Sequence, residues 1–167
     1  SITEELLASV TSLVFTSANG VNFFLDQLYQ KGLDCRLLSG KKLIVVGNAT
    51  ADALEKHGFF ADLISSKSSQ EGVLDAILSQ MEASISEEHF LLPLAKNARS
   101  ILKDGLSSKA ASVCQLPLYE SVALPIPEFT PQISGEDFVI FSSAEMVASF
   151  FASAIDYELT FTAFCLG

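Results

Sequence analysis

Short apolar segments alternate with helix-like segments along almost the whole chain of 167 residues. The segment KLIVVG (42–47) is continuously apolar, which is typical of a strand buried on both faces of a sheet. The segment GVNFFLDQLYQKG (20–32) has apolar residues at helical spacing and ends in glycine, a common helix stop. Because strands separated by single helices form βαβ units, this alternation predicts an α/β fold with mainly parallel sheets.

The pattern predicts strands at 11–15, 42–47, 61–64, 89–93, 111–122, 137–141 and 160–166. It predicts helices at 20–32, 50–58, 70–83, 97–106 and 144–154. Pro117 favours a sheet edge or a break for the strand that contains it, because proline cannot donate a ladder hydrogen bond. The prolines of ALPIPEFTPQISGE (123–136) indicate an extended linker between two α/β units.

An internal repeat relates the two units. VFTSANGV (14–21) aligns with IFSSAEMV (140–147), and KLIVVG (42–47) aligns downstream with TAFCLG (162–167). Two matches in the same order and at similar spacing predict two related domains. The second copy stops at its glycine, so we expect the second domain to be incomplete.

Charge and cysteine usage limit the classes of partner. The net charge is −10, all ten Lys and Arg precede residue 110, and seven acidic residues follow it. Nucleic-acid binding needs clustered cations and is therefore not expected. Three widely spaced cysteines without a C-x-x-C pair argue against a zinc site and suit the cytoplasm. No apolar run reaches the roughly 20 residues that span a bilayer, so no membrane association is expected.

Small polar residues follow four of the predicted strands. Ligands of doubly wound sheets bind outside the carboxyl ends of the strands, where helix N-termini offer free N–H groups to carboxylates or phosphates. The four turns are Thr16-Ser17-Ala18, Gly47-Asn48-Ala49-Thr50, Pro93-Leu94-Ala95-Lys96 and Ser142-Ser143-Ala144. Ser, Thr and Asn are also favoured helix caps, so these turns either cap helices alone or bind an anion as well.

Three longer side chains are further candidates. Tyr119 lies where the first unit meets the linker, so its phenol either faces an interdomain cleft or packs within the sheet. A phenol donates or accepts a hydrogen bond at pH 7 without carrying a charge. Lys96 and Arg99, at the start of the predicted helix 97–106, either hold an anion or are simply solvated.

Four segments together resemble the uroporphyrinogen-III synthase (HemD) family: FTSANGV, VVGNATADALEKHG, LPLYESV and VIFSSAEMV. The resemblance covers nearly the whole chain and implies two α/β domains with an active site in the cleft between them. Residues 11–118 would form the complete middle domain, 119–136 the interdomain connection, and 1–10 with 137–167 parts of the second, split domain. We expect the family's N-terminal strand and its second Gly-x-x-Thr segment to be absent from this sequence.

The resemblance also implies an activity. It implies a cytoplasmic, monomeric lyase of haem biosynthesis that closes the linear tetrapyrrole hydroxymethylbilane to uroporphyrinogen III, inverting the last ring, without cofactor or metal. Tyr119 matches the family tyrosine that assists departure of the hydroxyl, and Thr50 matches a cleft-facing threonine. The candidate substrate-binding residues are Thr16, Ser17, Ala18, Asn48, Thr50, Lys96, Ser142 and Ser143.

Two other functions remain open from the sequence. One is a non-catalytic α/β module of the same fold that binds a small molecule, in which Tyr119 and Thr50 are only structural. The other is a sensor domain for a neutral sugar or amino acid. Turnover of hydroxymethylbilane would separate the enzyme from both.

Overall fold

The computed structural model describes residues 1–67, 69–109, 111–120, 122, 133, 135–153 and 160–165. The chain divides into two compact units, Ser1–Glu120 and Ser121–Gly167. Each unit contains parallel strands joined by helices. The α/β class predicted from the sequence is therefore confirmed.

The first unit is built around a sheet of five parallel strands in the order β3-β2-β1-β4-β5. Its strands are β1 (Ser12–Phe15), β2 (Lys42–Val46), β3 (Leu63–Ser65), β4 (His89–Ala95) and β5 (Ser112–Tyr119). Its helices are α1 (Glu4–Ser9), α2 (Ala18–Gln30), α3 (Gly47–Glu55), α4 (Gln70–Met81) and α5 (Ile101–Ser107). Apart from α1, which the sequence pattern does not predict, these elements follow the predicted alternation closely.

Helices cover both faces of this sheet. On one face, α2 and α3 bury Phe24 and Leu54 against the first two strands. On the other face, α4 and α5 bury Ile77 and Leu106. Because β1 is covered from both sides, all four of its residues are buried, including the hydroxyl-bearing Ser12 at its start.

The first ten residues lie in the first unit. Ile2, Leu7 and Val10 are at most 5% exposed and share a core with Leu13. The helix α1 packs beside a short 3₁₀ turn at Cys35–Leu38. The sequence predicts that residues 1–10 belong to the second domain, whereas here their apolar side chains are buried in the core of the first.

Three helices begin at residues other than those predicted. Helix α2 begins at Ala18 rather than residue 20, because Ser17 caps it. Helix α3 begins at Gly47 rather than residue 50, because Gly47 adopts a φ of +69° and turns the chain directly from strand to helix. Helix α5 begins at Ile101 rather than residue 97, because β4 continues to Ala95 and a turn follows it. Lys96 and Arg99 therefore lie in that turn and not at a helix start.

The second unit contains β6 (Phe138–Phe141), α6 (Ala144–Ser153) and β7 (Thr162–Cys165). The two strands pair in parallel with Phe141 opposite Cys165, as β1 and β2 pair with Phe15 opposite Val45. Most of the predicted linker at 123–136 lies outside the described residues.

The sequence repeat has a counterpart in the packing of each unit. Phe15 meets Phe24 edge to face, with ring centroids 5.5 Å apart and an interplanar angle of 72°. Phe141 meets Phe150 in the same way, at 5.4 Å and 70°. Each contact joins the last residue of a strand to the following helix, so the two units share one strand–helix arrangement.

Candidate functional site

The carboxyl ends of β1, β4 and β5 form one edge of the sheet in the first unit. The chain builds the sheet outward from β1 to β3 and then returns to add β4 on the other side of β1. In doubly wound sheets such a reversal creates a ligand-binding crevice at the carboxyl ends. Lys96 follows β4, Tyr119 ends β5, and β1 is followed by Thr16, Ser17 and Ala18, so five of the nine predicted site residues lie at the ends of these three strands.

Ser17 and Tyr119 are joined through their hydroxyl groups. The Oγ of Ser17 lies 2.9 Å from the Oη of Tyr119. The same Oγ accepts a hydrogen bond of 3.0 Å from the N–H of Gly20, so Ser17 is the N-cap of α2. Both side chains are half-buried. The prediction that Ser17 caps a helix is confirmed, and its Oγ is also within hydrogen-bond distance of Tyr119.

The direction of the Tyr119 side chain follows from an irregularity in the edge strand. Leu94 lies opposite Pro117, but Ala95 lies opposite Tyr119, so Leu118 is the extra residue of a β-bulge. Bulges bend a strand and re-aim the side chains next to them. The sequence predicts an edge position or a break at Pro117; the edge position is confirmed, and the strand continues through Pro117 to Tyr119 without a break.

Phe23 is a site residue that the sequence does not predict. Its ring stacks on that of Tyr119, with centroids 4.9 Å apart and an interplanar angle of 18°, and it remains 43% exposed. Adjacent residues of a helix point in different directions, so only one ring of the FF pair can face the core, and Phe24 does so. The sequence offered one signal for this role, which is that Phe23 is an aromatic residue on the outer face of the helix, close to its start.

The cations at this edge are paired with carboxylates. The Nζ of Lys96 lies 3.3 Å from the Oε2 of Glu120, and the Nη1 of Arg99 lies 3.2 Å from the Oε1 of Glu71. All four side chains are more than half exposed, so solvent screens both pairs and each contributes little to stability. An anionic ligand can therefore compete for either cation. The N–H of Lys96 also donates to the carbonyl oxygen of Tyr119 at 2.8 Å.

The two polar residues that follow β2 differ in their exposure to solvent. Asn48 is exposed, whereas Thr50 is 3% exposed, so its side chain offers little surface to a ligand in this structure. Neither residue caps α3, whose N-cap is Val46 and has no side-chain hydrogen bond. Thr16 and Ala18, on either side of Ser17, are half-buried.

The corresponding turn of the second unit repeats the capping geometry. The Oγ of Ser143 accepts a hydrogen bond of 3.2 Å from the N–H of Met146, as Ser17 does from Gly20. Ser142 is exposed, and its Oγ lies 2.9 Å from the sulfur of Met146. The predicted equivalence of the two turns therefore extends to their hydrogen bonds.

Two helices at the carboxyl edge have first turns that suit an anion. The first turns of α2 and α3 contain no acidic residue. The other four helices of the described residues each have one or more there: Glu4 and Glu5 in α1, Glu71 in α4, Asp104 in α5 and Glu145 in α6. Because a helix N-terminus carries a partial positive charge, α2 and α3 offer favourable positions to carboxylates even in an acidic protein.

Glu88 lies at the opposite edge of the sheet, where the strands begin. This residue is 7% exposed and accepts hydrogen bonds from Lys42 Nζ, Thr11 Oγ1 and Ser12 Oγ. Burial raises the pKa of Glu88, but the three hydrogen bonds and the charge of Lys42 outweigh it, so the pKa is lowered. Glu88 therefore joins the starts of three strands and has a structural role.

The described residues show no metal-binding cluster and no membrane-spanning helix. Within the part of the chain that the structure describes, no group of three or more His, Cys, Asp and Glu side chains is arranged to hold a metal ion. No helix among those residues has the length and apolar character needed to cross a bilayer. Cys35, Cys114 and Cys165 are free thiols.

Comparisons with known proteins concern the chain as a whole. A family model described as uroporphyrinogen-III synthase HemD matches residues 1–167. The porphyrin biosynthesis protein HemD of Ruminiclostridium josui is 30% identical to this chain over 162 residues, which cover 93% of this chain. The chain spans 31% of the length of that relative.

Solved structures match with the same arrangement of elements. The wild-type uroporphyrinogen III synthase of the extreme thermophile Thermus thermophilus superposes with a TM-score of 0.63 at 22% identity, covering 98% of this chain and 66% of its own. The uroporphyrinogen-III synthetase of Helicobacter pylori 26695 gives a TM-score of 0.66 at 19% identity, covering 96% of this chain and 70% of its own. At these identities the matches support the fold.

Proposed function

The chain belongs to the uroporphyrinogen-III synthase family, and we propose that the protein closes hydroxymethylbilane to uroporphyrinogen III with loss of water. The last pyrrole ring is inverted during closure, and neither cofactor nor metal takes part. The hydrogen bond of 2.9 Å between Ser17 and Tyr119 is the observation that carries this proposal. It holds the candidate catalytic phenol at the sheet edge where ligands of this architecture bind.

Tyr119 supplies a neutral proton donor for departure of the hydroxyl group. As the C–O bond breaks, the phenol proton passes to the leaving oxygen and gives water, while the pyrrole nitrogen shares the positive charge left on carbon. Direct closure at the free α-carbon of the last ring would leave that ring uninverted. For inversion, the α-carbon that already carries the bridge to the third ring attacks the cation first. The old bridge bond then breaks, its methylene carbon takes the positive charge and bonds to the free α-carbon, and that carbon loses the proton that restores the phenol. General acids of this kind contribute about 10²–10⁴-fold to a rate.

Positioning decides which isomer forms. The free substrate can close without inversion of its last ring, so the enzyme must hold one geometry while the cation exists. Fixing two reacting groups in a productive orientation can contribute about 7–11 kcal/mol to lowering a barrier. A rigid sheet edge that orients Tyr119 suits this task better than a mobile loop does.

The substrate carries carboxylates on every ring, and the turns after the strands are suited to them. The acid-free first turns of α2 and α3 support this assignment, and Lys96 becomes available when a carboxylate displaces Glu120. A contact with Thr50 would need its turn to open, because the side chain is 3% exposed. The proposed substrate-binding residues are Thr16, Ser17, Ala18, Asn48, Thr50, Lys96, Ser142 and Ser143.

The cytoplasmic location and the monomeric state stay predictions. The sparse cysteines, all free thiols, are consistent with a reducing compartment. Size-exclusion chromatography with light scattering would test the monomer, and cell fractionation would test the location.

The proposed activity is tested by incubating the full-length protein with freshly prepared hydroxymethylbilane and separating the type III and type I products. We expect the type III isomer to predominate, whereas heat-denatured protein should leave the isomer ratio of buffer alone. A non-catalytic module of the same fold would bind the substrate and leave that ratio unchanged, which would contradict the proposal. A sensor domain would bind a neutral metabolite in preference to the polycarboxylate.

A further inference from the structure

Tyr119 is held at two points by residues of one helix. Its Oη lies 2.9 Å from Ser17 Oγ at the start of α2, and its ring stacks on Phe23 in the second turn of that helix. Its carbonyl oxygen accepts the N–H of Lys96 at 2.8 Å. The bulge before Tyr119 directs the side chain, and these contacts then fix where the hydroxyl lies.

The direction of the hydrogen bond between the two hydroxyl groups determines what Tyr119 can do. A serine hydroxyl has one proton to donate and two lone pairs that accept. One lone pair of Ser17 already accepts the N–H of Gly20 at 3.0 Å. If Ser17 donates its proton to Tyr119, the phenol proton stays free for the substrate, whereas the opposite direction consumes that proton inside the protein.

The surroundings of Ser17 favour donation toward Tyr119. A hydroxyl that accepts a hydrogen bond becomes a better donor, because chains of hydrogen bonds polarise one another. The partial positive charge at the start of α2 acts in the same sense, since it makes a nearby hydroxyl proton more acidic. The chain would then run from the N–H of Gly20 through Ser17 to Tyr119, with the phenol proton at its end.

We propose that Ser17 and Phe23 are positioning residues for Tyr119: Ser17 donates to the phenol oxygen, Phe23 fixes the ring plane, and the phenol proton is directed to the leaving hydroxyl. This inference rests on the proposed function and refines it, because it assigns the Ser17 hydroxyl to Tyr119 and not to a substrate carboxylate. Neither residue transfers a proton to the substrate itself.

Three variants of Ser17 separate the positioning role from the capping role. Ser17→Thr keeps both the cap and the donor. Ser17→Asp keeps the cap, because Asp and Ser cap equally well, but an ionised carboxylate cannot donate to Tyr119. Ser17→Ala removes both. We expect Ser17→Thr to keep kcat within about threefold of wild type, and Ser17→Asp and Ser17→Ala to lose about tenfold or more in kcat, given what general acids contribute.

Phe23 is tested in the same assay. Phe23→Tyr keeps a flat ring and should keep kcat, whereas Phe23→Leu keeps apolar bulk without the ring and should lower kcat several-fold, with KM little changed. Phe60→Ala is the matched control, because Phe60 is 76% exposed and lies in the segment before β3, at the amino edge of the sheet. Thr3→Ala removes a comparable helix cap from α1 and controls for the loss of a cap.

A readout without turnover accompanies the kinetics. The sequence has three tyrosines, and Tyr119→Phe identifies the Tyr119 signal in fluorine NMR of protein labelled with fluorotyrosine. We expect that signal to shift in Ser17→Ala, Ser17→Asp and Phe23→Leu, and to stay in place in Phe60→Ala and Thr3→Ala. An unshifted signal in the first three would overturn the positioning contacts.

The kinetic outcomes distinguish this inference from the proposed function. If the wild-type protein forms no excess of the type III isomer, the proposed function is wrong. An active wild type with Ser17→Ala at full kcat refutes the positioning role of Ser17. If Ser17→Asp keeps full kcat while Ser17→Ala loses it, the phenol donates to residue 17 and the stated direction is wrong. An effect of Ser17→Asp on KM alone would indicate repulsion of substrate carboxylates and would also count against the inference.

Discussion

Gly20 lies directly against the carbonyl oxygen of Pro93. A Cβ at position 20 would stand 3.2 Å from that oxygen and 3.4 Å from the Oγ of Ser17. The close approach of α2 to β4 therefore depends on the absence of a side chain. This approach brings Ser17 within hydrogen-bond distance of Tyr119, which lies on the strand beyond β4.

Gly20→Ala should disturb the site more than the stability. Alanine gains about 1 kcal/mol of helix propensity over glycine, whereas crowding against a central strand costs about 1–3 kcal/mol. We expect a net loss of at most about 2 kcal/mol in urea unfolding, and a clear loss of type III product. Gly105→Ala is the control, because Gly105 lies in α5 and the three atoms nearest to a Cβ there all belong to the Leu74 side chain. An unchanged product yield in Gly20→Ala would show that the approach has no role in activity.

Tyr119→Phe removes the hydroxyl and keeps the ring that stacks on Phe23. We expect the rate of type III formation to fall by about 10²-fold or more, which is what loss of a general acid costs. The free energy of unfolding should change by no more than about 1–2 kcal/mol, because one half-buried hydrogen bond is lost. Tyr29→Phe, at a tyrosine that is 49% exposed, serves as control. If Tyr119→Phe forms the type III isomer at the wild-type rate, Tyr119 is not the general acid.

Glu120→Gln should release Lys96 from its ion pair and improve binding of the polycarboxylate. We expect KM to fall a few-fold at low ionic strength and the difference to shrink at physiological salt, where exposed charges are screened over about 8 Å. Stability should change by less than about 1 kcal/mol, since both side chains are exposed. Asp34→Asn breaks the comparable exposed pair with Arg36 and should leave KM unaltered. A KM that rises in Glu120→Gln would contradict this role for Lys96.

The stabilisation that Glu88 provides should be lost in acid. Its pKa is lowered from the ordinary value of 4.5, so its contribution is complete above that value and is lost as the pH falls through the folded-state pKa. Glu88→Gln should lose about 1–3 kcal/mol at neutral pH, because the buried hydroxyl of Ser12 and the charge of Lys42 lose a charged partner. The unfolding free energies of the two proteins should converge as the pH falls below the folded-state pKa. Glu87→Gln, at an exposed neighbour, should behave as wild type.

The alternation of elements was predictable because it is a local property of the chain. β1 and β2 contain the apolar runs LVF and LIVV, and α2 ends just before Gly32, which adopts a φ of +69°. The start of α3 was not predictable, because nothing in the sequence says that Gly47 will take a left-handed conformation and remove the turn. The start of α5 was missed for a related reason, since its helical spacing continues backward into a turn.

Only half of the site could be predicted. Ser17 as a cap follows from its place before a helical pattern. Its bond to Tyr119 joins residues 102 positions apart and depends on the strand order and on the bulge that Leu118 introduces. Tyr119 was a candidate from its place beside the linker, and the family resemblance added a catalytic role, but its contacts were not predictable. Phe23 could not be predicted because its role depends on where β5 ends.

The paired phenylalanines of the two units have a consequence for binding. Phe15 and Phe141 each lock the end of a strand onto the helix that follows, through the same edge-to-face contact. Apolar packing thus sets the angle at which each helix leaves its sheet, and with it the aim of the first amide groups, before any ligand arrives. A carboxylate that reaches either turn meets donors already in place, so little conformational freedom remains to be lost on association.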